Sequence, residues 1–118
     1  MKILVTGGLG FIGHHVVTML ESIGHEVVIT DTQTTYGIIS KEELDALIVE
    51  RRTHINTDRI YRVDIADREG IDWLIGHHNP DIVIHLASFP RQKVVNADPQ
   101  TGSRSMSEGL LNLLESTS

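Results

Sequence analysis

The residues Lys2 to Gly13, KILVTGGLGFIG, restrict the fold more than any other part of the chain. A β-branched, apolar run stops at glycine, and an apolar pattern at helical spacing begins at Phe11. A buried strand, a tight turn and a helix in that order open a strand–helix–strand unit. Four glycines lie in the turn and the first helical turn, and they fit two phosphate-loop spacings. Gly8, Gly10 and Gly13 read G-x-G-x-x-G, while Gly7, Gly10 and Gly13 read G-x-x-G-x-x-G. Both share Gly10, where a side chain would block close approach of a pyrophosphate. Both also share Gly13, where a side chain would hold the helix off the first strand. Gly7 is favoured as the first glycine because it directly follows Thr6, where the chain must turn.

The remaining chain alternates strands with helices. After Phe11, the residues Ile12, Val16, Met19, Leu20 and Ile23 form the expected core stripe of a helix that Gly24-His25 ends. EVVIT, Glu26 to Thr30, is a second buried strand. Ser40 to Glu43 has the S-x-x-E form of a capping box, and Leu44, Leu47 and Ile48 place a helix over roughly 41–52. RIYRV, Arg59 to Val63, is a third strand, and Ile71, Leu74 and Ile75 mark a helix over 68–78. DIVIHL, Asp81 to Leu86, is a fourth strand, followed by a loop from Ala87 to Ala97. Asp98-Pro99 is a helix start, and Leu110, Leu113 and Leu114 carry a last helix. Strands that are apolar along their length imply a parallel sheet covered on both faces. Right-handed crossovers give the order 3-2-1-4. The expected fold is therefore α/β, a Rossmann-like doubly wound parallel sheet of about four strands with helices on both faces. It forms a single domain over residues 1–118, and the later strands of a complete doubly wound domain are not in the sequence.

Asp31 ends the second strand, where a carboxylate can accept both ribose hydroxyls of an adenosine. It would repel a 2′-phosphate, and no arginine follows in Thr32-Gln33-Thr34-Thr35 to bind one, so NAD is expected over NADP. The net charge of −6 and the scattered basic residues argue against a nucleic-acid surface. No segment has the uninterrupted apolar length of a membrane span or signal core. The absence of cysteine excludes disulfides and thiolate metal sites and suits a cytoplasmic setting. Seven histidines include the pairs His14-His15 and His77-His78, but none has the spacing of a chelating helix pair, and no metal site is expected.

TGGLGFIG, Asp31, VDIAD at Val63 to Asp67, HLAS at His85 to Ser88 and DPQTGSRSMSEGLLNLLE at Asp98 to Glu115 together resemble the extended short-chain dehydrogenase/reductase family. The flavour is that of its nucleotide-sugar epimerases and dehydratases, and the likeness spans only the N-terminal part of that fold. The resemblance selects the Gly7, Gly10, Gly13 register and implies backbone amides of Phe11 and Ile12 on the pyrophosphate. It implies Asp64 and Ile65 beside the adenine, and Leu86, Ala87 and Ser88 near the nicotinamide half. Two positions depart from the family: Met106 stands where an asparagine is frequent, and Leu110 where a threonine usually follows Gly109. The family's catalytic Tyr-x-x-x-Lys is missing, since Tyr36 is followed four places later by Ser40, and Tyr61 by Ile65.

The resemblance thus implies the NAD-binding portion of an epimerase or dehydratase, inactive alone, with no catalytic residue in this chain. A nucleotide-sugar substrate would be engaged only in a full-length form. The alternatives are a stand-alone dinucleotide-binding or interaction module and part of an NADP-dependent reductase. An unpaired fourth strand or an uncovered last helix would favour homo-oligomers. The segment Thr32 to Asp58 is either a flap over the adenosine, with Tyr36 as a contact, or a surface helix. Arg91 and Lys93 are read as solvated.

Overall fold

The computed structural model describes residues 1–33, 40–87, 111–112 and 114–117. Its elements are β1 (Lys2–Thr6), α1 (Phe11–Ser22), β2 (Glu26–Thr30), α2 (Lys41–Arg52), β3 (Ile60–Tyr61), α3 (Arg68–His78) and β4 (Ile82–His85). All pairings are parallel, and the strand order is β3-β2-β1-β4. This is the expected Rossmann-like arrangement. Thr6 is level with Thr30 on one side and with His85 on the other, so three carboxyl strand ends meet at the glycine turn.

Side-chain alternation along the strands divides the core in two. Ile3, Val5, Val27 and Ile29 pack with Leu9, Val17, Ile48 and Ile55 under α1 and α2. Leu4 and Val28 point the other way, onto Ile65, Ile71 and Leu74 of the α3 layer. The segment beyond α2 is tied down by Glu21 of α1, whose carboxylate accepts the N–H groups of Asn56 and Thr57 at 2.9 and 2.8 Å.

Three expectations need correction. The buried positions of α1 are Gly13 and Val17, with Leu20 packed beside them, whereas Ile12, Met19 and Ile23 are exposed. The helix turns its smallest residue to the loop so that it can approach closely, and hydrophobic spacing cannot register a core position held by glycine. In α2, Ile48 is buried and Leu44 packs on the core, but Leu47 lies at the surface. The third strand is two residues long, Ile60–Tyr61. Its ladder ends because the carbonyl of Val63 takes the hydroxyl of Thr30 at 2.7 Å in place of a backbone amide. Residues 111, 112 and 114–116 are helical, and the start expected at Asp98-Pro99 lies outside the described residues.

Candidate dinucleotide site

Each glycine of the loop answers a different steric demand. Gly7 adopts φ +72°, and a Cβ there would meet Ala87 N at 2.9 Å. Gly8 has no such backbone demand, but a Cβ on it would run into Ile29 at 2.7 Å. A Cβ on Gly13 would lie 2.0 Å from the carbonyl oxygen of Gly7. Both candidate first glycines are therefore needed, Gly7 for the turn and Gly8 for packing on β2. The turn is closed by Gly7 N–H donating to Thr30 O at 2.8 Å and Gly10 N–H to Gly7 O at 3.0 Å.

Helix α1 begins without a side-chain cap. Its N-cap is Gly10, and its first turn holds no acidic residue. The intrahelical ladder begins with His14 N–H on Gly10 O at 3.0 Å, so the amides of Phe11, Ile12 and Gly13 precede it with no acceptor one turn back. Three aligned donors at the positive end of a helix dipole suit a phosphate. The side chains of Phe11 and Ile12 are exposed. The half-buried His14 donates from Nδ1 to Gly10 O at 2.9 Å, since a carbonyl can only accept.

Asp31 sits half-buried beyond β2 and braces the loop. Its Oδ2 accepts Leu9 N–H at 3.0 Å, and its Oδ1 accepts Gln33 N–H at 2.8 Å. Each oxygen keeps accepting capacity for a hydroxyl. The carbonyl of the same Leu9 takes the guanidinium of Arg51 at 2.7 Å. That contact joins α2 to the glycine loop from 42 residues away, and no local pattern in the sequence signals it.

The other positions are distributed as follows. Asp64 is exposed, and its Oδ1 accepts Ala66 N–H at 2.8 Å, closing a small turn of its own. The side chain of Ile65 is in the core, which leaves only its backbone to face a ligand. Its carbonyl accepts the Asn112 amide at 2.8 Å. Arg68–Glu115 and Ser116–Asp72 contacts bind the same C-terminal helix to α3. Leu86 and Ala87 are half-buried beside Gly7. Ser88, Tyr36, Arg91, Lys93, Met106, Gly109 and Leu110 lie outside the described residues.

Two histidines are environmentally distinctive. His85 is pushed below the ordinary imidazole range by burial. His78, buried with Nε2 2.8 Å from the Tyr61 hydroxyl, is pushed down by burial first and then by His77, Lys2 and Arg59. Among the described residues no cluster of histidine and acidic side chains could hold a metal ion, and no helix is long and apolar enough to cross a membrane.

A parallel 3-2-1-4 sheet with an uncapped helix after its first strand and a carboxylate after its second defines the Rossmann class of nucleotide-binding folds. Residues 3–118 match the model of the NAD dependent epimerase/dehydratase family, and the chain belongs to that family. A UDP-glucose 4-epimerase of Neisseria meningitidis serogroup B is 40% identical over 90 residues, covering 75% of this chain and 24% of the relative. A probable dTDP-glucose 4,6-dehydratase of Sinorhizobium fredii is 40% identical over 89 residues, covering 75% of this chain and 23% of the relative. The crystal structure of Thermus thermophilus UDP-glucose 4-epimerase in complex with NAD superposes with a TM-score of 0.79 at 33% identity, over 98% of this chain and 33% of that one. The chain thus spans about a quarter of the length of these curated relatives.

Proposed function

We propose that the chain binds NAD across the carboxyl ends of β1, β2 and β4, as the cofactor-binding portion of an enzyme acting on nucleotide-linked sugars. One observation carries this reading: the uncapped amides of Phe11, Ile12 and Gly13 stand over a turn in which Gly7, Gly8 and Gly13 leave no room for a Cβ. These amides hold the diphosphate, and Asp31 receives the adenosine ribose hydroxyls while still bracing Leu9. The exposed Asp64 and the backbone of Ile65 border the adenine, and Leu86, Ala87 and Ser88 line the nicotinamide half.

Bound NAD supplies a hydride acceptor. The chain's own residues bind and orient it, but the sequence holds no Tyr-x-x-x-Lys to move the proton of a sugar hydroxyl. Loss of general acid–base help costs roughly 10²–10⁴-fold in rate. Binding without turnover is therefore expected of this polypeptide by itself. Calorimetric titration with NAD, NADP and UDP-sugars tests the reading. NAD should bind, NADP should bind more weakly because Asp31 faces its 2′-phosphate, and UDP-sugars should be neither held nor converted. Failure to bind NAD overturns it.

A further inference from the structure

Thr6 and His85 are level partners at the carboxyl ends of β1 and β4, and Oγ1 lies 2.7 Å from Nδ1. Thr6 is fully buried. Its Oγ1 also accepts the Ala87 N–H at 3.1 Å and a share of the Leu86 N–H at 3.0 Å, the same N–H reaching the Thr6 carbonyl at 3.0 Å. A hydroxyl has two lone pairs and one proton. With both amides directed at the oxygen's lone pairs, the arrangement that satisfies every donor sends the hydroxyl proton to His85 Nδ1. The neutral imidazole consequently carries its own hydrogen on Nε2.

A further proton on His85 has only Nδ1 to occupy. It would set three donors against one oxygen and leave the Thr6 proton with no acceptor. The hydroxyl must then turn and release the Ala87 N–H, because the Leu86 N–H keeps the Thr6 carbonyl. Leu86 and Ala87 are the residues packed on the glycine turn, since a Cβ on Gly7 would lie 3.0 Å from Leu86 C and 2.9 Å from Ala87 N. The neighbours themselves do not titrate: Thr6 on β1, Gly7 in the turn, and Leu86 and Ala87 after β4. Asp31 and Arg51, the charged groups bordering the loop, both bind Leu9. Burial is the sole cause that lowers His85, which keeps the ring neutral near physiological pH.

We propose that Thr6 and His85 form a proton-gated latch: neutral His85 seats Ala87 against Gly7, and a proton on His85 unseats it and weakens the dinucleotide site. The ligand half of this statement rests on the NAD reading above, whereas the latch itself does not. Both are positioning residues, acting through the Ala87 backbone.

Nitrogen-15 NMR of the imidazoles and amide exchange of the 118-residue chain from pH 8 to pH 5, paired with NADH titrations, test it. At pH 8 His85 should show the Nε2–H tautomer. As it protonates, protection of the Ala87 amide should fall with the same midpoint while Leu86, held by the Thr6 carbonyl, stays protected, and NADH affinity should drop about tenfold. His85→Leu should bind weakly at every pH. His85→Asn, which offers a non-titrating oxygen near the Nδ1 position, should restore most of that loss without the acid limb. Thr6→Val should behave as His85→Leu does, and Thr6→Ser should rescue. An Nδ1–H tautomer overturns the latch. So does Ala87 protection that survives His85 protonation, a ring that stays neutral until the chain unfolds, or an unchanged acid limb in His85→Asn. An intact latch in a chain that binds NADH at no pH sinks the NAD reading instead.

Discussion

The amino ends of α1 and α3 are built on opposite plans. Helix α3 begins at Asp67, whose carboxylate accepts the Gly70 N–H at 3.2 Å, and Glu69 follows in its first turn. Helix α2 is finished in the same way, with the Ser40 hydroxyl accepting the Glu43 N–H at 3.1 Å and Glu42 and Glu43 near the positive end. Helix α1 has Gly10 at the cap, no side-chain acceptor and no acid. A capped start satisfies its amides internally and contributes about 0.5–2 kcal/mol to stability. The start of α1 forgoes that and leaves donors for an external anion. Helices α2 and α3 are capped, and the one at the proposed cofactor site is not.

The hardest break in this contrast is Gly13→Ala. Its new Cβ would meet the Gly7 carbonyl, so α1 must withdraw from the loop. The expected loss is at the upper end of the ~1–3 kcal/mol typical of overpacking, read from urea unfolding midpoints, together with loss of NADH binding. Gly10→Asp tests the contrast directly by giving α1 the cap of α3. At this position a Cβ meets only Gly7 O at 3.2 Å, and the extended backbone of Gly10 suits an aspartate. Stability should rise by about 0.3 kcal/mol, while NADH affinity falls more than about tenfold because a carboxylate occupies the proposed phosphate position. A variant that gains stability and keeps its affinity would break the link between the open cap and the ligand.

Acid should separate the two regions further. His78, behind Tyr61 on the α3 side, and His85, beside the glycine turn, are both held below their ordinary value, so the folded state binds fewer protons than the unfolded one. Stability is then fully present above the unfolded histidine value of about 6.5 and is lost as pH falls below it toward the lowered values. The melting temperature should be lower at pH 5.5 than at pH 7.5. His78→Gln, which keeps a partner for the Tyr61 hydroxyl, should reduce that difference. The smallest effect belongs to Ser40→Ala: about 1 kcal/mol of stability lost from α2, with NADH affinity unchanged. A change in affinity there would show that α2 acts on the site through more than Arg51.

The sequence by itself determined the strand–turn–helix opening, the order of elements, the Ser40 cap and the positions of the loop glycines and Asp31. These are encoded by residue type over a few neighbours, where periodicity, turn chemistry and capping act. Tertiary structure alone decided which arc of α1 is buried, because a glycine at the point of closest approach carries no hydrophobic signal. It also decided the two-residue length of β3, the reach of Arg51 to Leu9, the Tyr61–His78 contact and the Thr6–His85 contact. Each of these depends on groups distant in sequence that meet only once the sheet has formed, and short-range spacing holds no record of them.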